Sequence, residues 1–316
     1  MAVDLLDRRL LFVSGKGGVG KTTVAAALAL LGSQRAKRTL ACEVDAKGNL
    51  ADFFETSRPG FVPRQVQPRL FAMAMHPEES LQEYLRLQLH IPAITRIGPL
   101  AKAFDFVATA APGVREILTV GKLAWEVRER HFQLVVADAA ASGHIVGQLT
   151  APQAINQLVK VGQVRHQTDW VADMLGDRAT TGLVIVTTPE EMPVNETIEL
   201  VHRVRQETDV DVAAIVVNRV LPELFSGNDE EVFERLREPA VVDALASATA
   251  GPVAPVLEAA RLAVTLRRTR AGHLDHLRNS VDPTIPLLYV PYLFTRGHGL
   301  RTTGQVAEAL SAELGY

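Results

Sequence analysis

One stretch constrains this chain more than any other: Ser14-Gly15-Lys16-Gly17-Gly18-Val19-Gly20-Lys21-Thr22-Thr23. The apolar run Leu10-Leu11-Phe12-Val13 precedes it and reads as a buried strand. Val24-Ala25-Ala26-Ala27-Leu28-Ala29-Leu30 follows and reads as a helix. The stretch has the spacing G-x-x-x-x-G-K-[ST], in the strand–loop–helix context in which that spacing cradles phosphate. Glycines let successive backbone N–H groups turn inward without a Cβ clash. The helix N-terminus adds partial positive charge. Lys21 is expected to reach the β- and γ-phosphates of a nucleotide, and the Thr22 hydroxyl to bind Mg²⁺. Gly15, Lys16, Gly17, Gly18, Val19, Gly20, Lys21, Thr22 and Thr23 form the expected nucleotide-binding loop.

Composition narrows the class. The 316 residues suffice for one large α/β domain or two modest ones. Lys and Arg number 33 against 36 Asp and Glu, a net charge of −3, so nothing draws the chain to nucleic acid in bulk. Cys42 is the only cysteine, which excludes an intramolecular disulfide and a multi-cysteine zinc or iron–sulfur site within one chain. A lone cysteine fits a reducing cytosol. The N-terminal stretch lacks the charged-then-apolar pattern of a secretory signal. No apolar run approaches the length of an integral membrane segment. A cytoplasmic location is therefore expected.

Lys16 adds a second mark to the loop, which reads G-K-G-G-V-G-K-T-T. With this extra lysine it resembles the deviant P-loop of dimeric ATPases. These include the arsenical-pump ATPase, the tail-anchored-protein targeting factor, the septum-site and partition ATPases, and the nitrogenase iron protein. The resemblance implies that Lys16 crosses a dimer interface to the partner's nucleotide. A cation supplied in trans can act as an arginine finger does, because phosphoryl transfer is mostly electrostatic stabilisation. The alternative is a solvated loop lysine.

The rest of the chain sharpens the resemblance. Arg38 to Val44 reads as a second strand and runs into Asp45-Ala46-Lys47-Gly48-Asn49-Leu50-Ala51-Asp52. Arsenical-pump and tail-anchor ATPases carry D-P-A-H-[NS]-L-x-D at this switch I position. Asp45, Asn49, Leu50 and Asp52 match; Ala46, Lys47 and Gly48 depart. The resemblance makes Asp45 the carboxylate that orients or deprotonates the attacking water, beside Mg²⁺. Capping the next helix is the alternative. Residues 55–69 read as a loop and Leu70 to Met75 as a strand.

Residues 77–130 read as short helices, with Ile94, Ile97, Leu100, Phe104 and Val107 at helical spacing. This helical subdomain is either a client-binding surface, as in related targeting ATPases, or a layer over the sheet. Gln133 to Asp138 reads as the Walker B strand, with Asp138 near Mg²⁺. Ala139-Ala140-Ala141-Ser142-Gly143-His144 resembles the family's switch II, D-x-A-P-T-G-H, with Gly143-His144 intact. Gly143 offers an N–H for the γ-phosphate. A switch hydrogen-bonding role suits His144 better than metal binding, since no second ligand has suitable local spacing.

Residues 152–177 read as one or two helices, with Trp170, Val171, Met174 and Leu175 as a core face. Strands follow at 182–188, 212–217 and 286–291, and helices at 193–207, 232–247, 255–278 and 302–313. Residues 222–231 read as a polar loop. Asn218 resembles the family's adenine-reading residue, its amide offering donor and acceptor; a turn asparagine is the alternative. Pro291 and Tyr292 stand where the family has a loop closing over the base.

Alternating strands and helices predict an α/β fold, a mostly parallel sheet with helices on both faces. The resemblance covers nearly the whole chain as one P-loop ATPase domain of residues 1–316, with the helical insertion between switch I and Walker B. It implies a bacterial-type Mg-dependent ATPase switching as a homodimer, or as a heterodimer with a paralogue, to handle a client or partner. A partition-type ATPase and a non-hydrolysing scaffold are the alternatives. Arsenite pumping is not expected, because Cys42 alone builds no multi-thiol site.

Overall fold

The computed structural model describes residues 4–45, 48–88, 113–222, 227–249, 251–295 and 297–316. Among the described residues eight strands form one sheet: β1 Leu10–Gly15, β2 Thr39–Glu43, β3 Arg64–Gln67, β4 Leu70–Ala74, β5 Leu134–Asp138, β6 Thr181–Thr187, β7 Val212–Val220 and β8 Leu287–Pro291. Their spatial order is β3-β4-β2-β5-β1-β6-β7-β8. Every pairing is parallel except β3 with β4.

The central strands are apolar runs because both their faces are covered. Side chains alternate between two cores. Leu10 and Phe12 of β1, with Val135 and Ala137 of β5, face one. Leu11 and Val13, with Leu134 and Val136, face the other. On the second face lie α1 (Lys21–Gln34), α2 (Asn49–Phe53) and α11 (Leu300–Glu313). On the first lie α4 (Val114–Arg128), α5 (Ser142–Leu158), α6 (Gln163–Gly176) and α7 (Glu191–Glu207). Val171 and Leu175 are buried there, with Trp170 and Met174 packed against them, as the helical spacing predicts.

The chain leaves β1 toward β2 on one side and later returns to β6 on the other. The C-terminal end of β1 is thus the point where strand order reverses, where open parallel sheets hold their ligands. The loop of residues 14–23 sits there.

Four expectations are corrected. The stretch 55–69 is not all loop: β3 pairs antiparallel at the sheet edge. Its sequence, Arg-Gln-Val-Gln, is polar because an edge strand faces water. Residues 222–231 are not all loop either, since α8 (Gly227–Leu236) begins within them. The helix expected at 232–247 is two, α8 and α9 (Pro239–Thr249), Pro239 opening the second. The helix expected from 152 starts at Ser142, so Gly143 and His144 lie in its first turn. α10 (Ala254–Ser280) completes the chain between α9 and β8.

Of the expected helical insertion, α3 (Pro77–Gln88) and α4 are described. Ile94, Ile97, Leu100, Phe104 and Val107 lie outside the described residues, as do Ala46 and Lys47. Lys122 of α4 bridges Glu83 of α3 and Glu126, each at 2.7 Å. Burial works against its charge, but the two carboxylates outweigh burial and hold the ammonium above its ordinary range. Among the described residues no helix is long and apolar enough to cross a membrane.

Candidate functional site

The loop between β1 and α1 is shaped by close approach. Gly15 has φ +148°, and a Cβ there would lie 2.1 Å from the Val186 carbonyl oxygen of β6. Gly20 has φ +97°, and its Cβ would meet the Asn218 amide nitrogen at 2.3 Å. Both positions therefore exclude side chains, and the backbone turns inward at the start of α1. Lys21 Nζ reaches the Lys16 carbonyl oxygen at 3.4 Å, lying back over the loop it closes.

Asp138 comes to the loop through sheet register. Asp138 pairs with Val13 of β1 and Glu43 of β2 at the C-terminal edge. Thr22 Oγ1 donates to Asp138 Oδ2 at 2.6 Å. Asp138 is 8% exposed. Burial pushes its carboxyl up to about 6; Thr22 and Lys21 pull it down, while Glu43 and Asp45 add to the rise. Ser14 Oγ donates to the Ala140 carbonyl at 2.7 Å, tying the end of β1 to the segment before α5.

This pair fits Mg²⁺. The ion takes one or two protein oxygens and completes its shell with phosphate and water. Among the described residues no cluster of three or more His, Cys, Asp or Glu could hold a metal alone. His144 is exposed in the first turn of α5 beside Gly143.

Gly48 and Asn49 are held by a residue that sequence reasoning missed. Glu43, 1% exposed, accepts from the Gly48 N–H at 3.1 Å and the Asn49 N–H at 2.9 Å. It thereby serves the N-terminus of α2, the role considered for Asp45. Asp45 itself is half-exposed and pairs with Arg115 of α4 at 3.4 Å. The signal for Glu43 was a carboxylate ending an otherwise apolar strand.

Lys16 is not a freely solvated lysine. Its ammonium pairs with Glu196 of α7, whose other oxygen accepts from Ser142 Oγ at 3.3 Å. Nothing local in the sequence marks Glu196.

Asn218 is buried near the end of β7, not in a turn. Its Nδ2 donates to the Val19 carbonyl at 2.8 Å, and its Oδ1 accepts from the Arg219 N–H at 2.9 Å. Beyond these bonds the amide keeps one hydrogen and one lone pair. Pro291 pairs with Val220, and the Tyr292 N–H donates to the Val220 carbonyl at 2.8 Å. The Tyr292 and Phe294 rings lie 4.8 Å apart, both exposed. The structure thus gathers the loop, Asp138, Gly143, His144, Asp45, Asn218, Pro291 and Tyr292 along one edge of the sheet. Cys42 is buried in β2, and burial pushes its thiol up, away from the thiolate.

The comparisons agree with this geometry. The family model described as "Anion-transporting ATPase" matches residues 8–169 and 156–239. ATPase BagA of Mycobacterium tuberculosis is 30% identical over 225 residues, covering 68% of this chain and 66% of that protein. The chain thus spans just under two thirds of that relative's length. ATPase GET3 of Podospora anserina is 26% identical over 258 residues, covering 69% of this chain and 76% of that protein. A protein of Aquifex aeolicus, named provisionally as an arsenical pump-driving ATPase, is 25% identical over 260 residues, covering 73% and 85%. With its loop, Walker B strand and switch segments all inside the matched span, this chain belongs to the anion-transporting ATPase family.

Proposed function

We propose that this chain binds ATP at the loop 14–23 and hydrolyses it in an Mg²⁺-dependent way, working as a nucleotide-switched dimer in the cytoplasm. The dimer is of like copies or of this chain with a paralogue. Its output is the handling of a client or partner protein. The observation that carries the reading is the bond from Thr22 to buried Asp138 at the mouth of the loop. A hydroxyl and a carboxylate already in register are a preformed half-shell for Mg²⁺. Thr22 and Asp138 would hold the ion there, and it would supply positive charge against the phosphate oxygens.

The residues divide the work. Inward N–H groups of the loop bind phosphate oxygens, and Lys21 supplies a fixed charge beside them. Gly143, at the N-terminus of α5, offers its N–H and the helix dipole to the γ-phosphate. Asn218 uses its spare donor and acceptor for the adenine edge, with Pro291 and Tyr292 beside it. Asp45 orients water once it leaves Arg115. Lys16, supplied across the two-fold axis, completes charge stabilisation on the partner's nucleotide.

Two observations favour a second reading. Asp45 is engaged by Arg115, and switch I lacks the histidine of the resembled motif. A scaffold that binds ATP without turnover would look like this. Single-turnover hydrolysis separates the two: conversion of bound ATP supports the enzyme, and none over hours, with dimers present, supports the scaffold. Arsenite binding gains nothing from one buried thiol.

The dimer reading is tested by mixing Lys16→Ala protein with Lys21→Ala protein. One site of the mixed dimer keeps Lys21 and receives Lys16 from its partner. Activity should return on mixing; mixed dimers that form but stay inactive overturn the trans role.

A further inference from the structure

The dimer reading turns on Lys16, and in the single chain its ammonium is already engaged. Its partner Glu196 lies 180 residues away in sequence, in the early part of α7. The helix presents that carboxylate from a fixed base, since Val194, Thr197, Leu200 and Val201 are all buried. The second carboxylate oxygen accepts from Ser142, the first residue of α5, just past Asp138. One side chain therefore bridges the nucleotide loop and the start of switch II.

The exposure of the pair matters. The Lys16 side chain is 26% exposed and that of Glu196 36%. An ion pair this wet is weak, so it orients the lysine without locking it. A terminal phosphate carries about −1.5 to −2 in total against the carboxylate's single charge, so its oxygens compete with Glu196 for the ammonium.

We propose that Glu196 is the positioning residue of Lys16. It holds the lysine within its own chain until a phosphate on a second copy's nucleotide competes for it. This rests on the dimer reading above. When Lys16 leaves, Glu196 keeps, among the described residues, the Ser142 hydroxyl alone. Closure at the interface thereby changes the partners of the first turn of α5, where Gly143 and His144 sit. The contact thus couples interface closure to switch II without requiring a longer path.

Two measurements test it. First, the rate at which an amine-reactive ester labels Lys16 in nucleotide-free protein is followed by mass spectrometry. Glu196→Gln should raise that rate about two- to fivefold, the range of a half-exposed ion pair. Glu199→Gln removes the same charge from an exposed site on the same helix and should leave the rate alone. If Glu196→Gln labels like the wild type, the hold does not exist.

Second, dimer formation is followed by sedimentation against a non-hydrolysable ATP analogue. Glu196→Gln should lower the half-saturating concentration about two- to fivefold, and should have no such effect in a Lys16→Ala background. An equal shift in both backgrounds means that Glu196 acts through α7 packing, and overturns the proposal. A wild type that stays monomeric with the analogue overturns the dimer reading instead; the labelling rates alone then decide the hold.

Discussion

Helices α1 and α10 use similar apolar residues and end in opposite situations. α1 has 14 residues, and every side chain from Val24 to Ser33 is buried. It lies between the sheet and α11, so it has no solvent face to spare. α10 has 27 residues, of which only Leu257 and Leu277 are buried. Leu274 and Leu277 near its end join the core beside α7. Upstream, Val256, Leu262 and Leu266 are exposed, and α9 buries no side chain among the described residues. The difference separates two jobs. The helix that carries the nucleotide loop is fixed by packing on all sides, which suits a site that must hold backbone N–H groups in place. The α9–α10 segment draws little stability from the core, so its apolar residues are not explained by folding alone.

The largest effect should come from separating function from fold in the fixed region. Lys21→Ala should weaken ATP binding about a hundredfold or more, because a charge-assisted bond to phosphate is lost. Thermal stability should hardly change, since Lys21 lies at the loop mouth and not in the core. Calorimetry with unchanged affinity would remove the loop from the nucleotide site.

Next in size is the packing itself. Leu28 is 0% exposed in the middle of α1. Leu28→Ala should cost about 2–5 kcal/mol, the range for a cavity left in a well-packed core. Denaturant unfolding measures this; a loss under about 1 kcal/mol would mean that α1 relaxes easily and the contrast with α10 is overstated.

These two residues also show what the sequence could reveal. The strand, loop and helix around residues 10–34 were legible because the motif and the apolar runs on either side of it are local and agree. The alternation of strands with helices revealed a mostly parallel, covered sheet for the same reason. β3 was hidden because an edge strand of Arg64, Gln65, Val66 and Gln67 carries the composition of a loop. The start of α5 was hidden because residues 139–144 read as a switch segment and not as the opening of a helix. Glu43 serves residues only five and six positions along and was passed over beside Asp45, whereas Glu196 was hidden for a different reason: it acts through partners that the fold brings together. For Glu196 those partners are Lys16 and Ser142, far apart along the chain.

A smaller effect concerns Asp138 in metal-free, nucleotide-free protein. Its folded carboxyl sits at about 6 against an ordinary 3.8, with burial the main cause. The folded state therefore binds the proton more tightly than the unfolded state. That contribution is full below about pH 4 and is lost as pH rises through about 6. Wild-type stability relative to Asp138→Asn should accordingly fall between pH 4 and 7, read from denaturation midpoints. A flat difference would mean that Asp138 is better solvated, and the site more open, than its burial implies.

The smallest effect is the one that most sharpens the comparison. Leu262 is 61% exposed on α10. Its side chain removes little apolar surface from water, so truncation should forfeit little transfer energy and leave no cavity. Alanine is also the best helix former, and α10 is an uninterrupted helix through this point. Leu262→Ala should therefore change stability by less than about 0.5 kcal/mol in either direction, as surface substitutions do. The same removal at Leu28 should cost several times more, although both are leucines near the middle of a helix. Urea unfolding of the two variants side by side makes the test, with both compared to the wild type. If Leu262→Ala costs more than about 1 kcal/mol at low protein concentration, Leu262 is packed in the single chain and the contrast fails. If the cost appears only as concentration rises, the side chain is buried between copies, because only association makes stability depend on concentration. If it stays near zero at every concentration, this side chain adds nothing to the fold or to self-association.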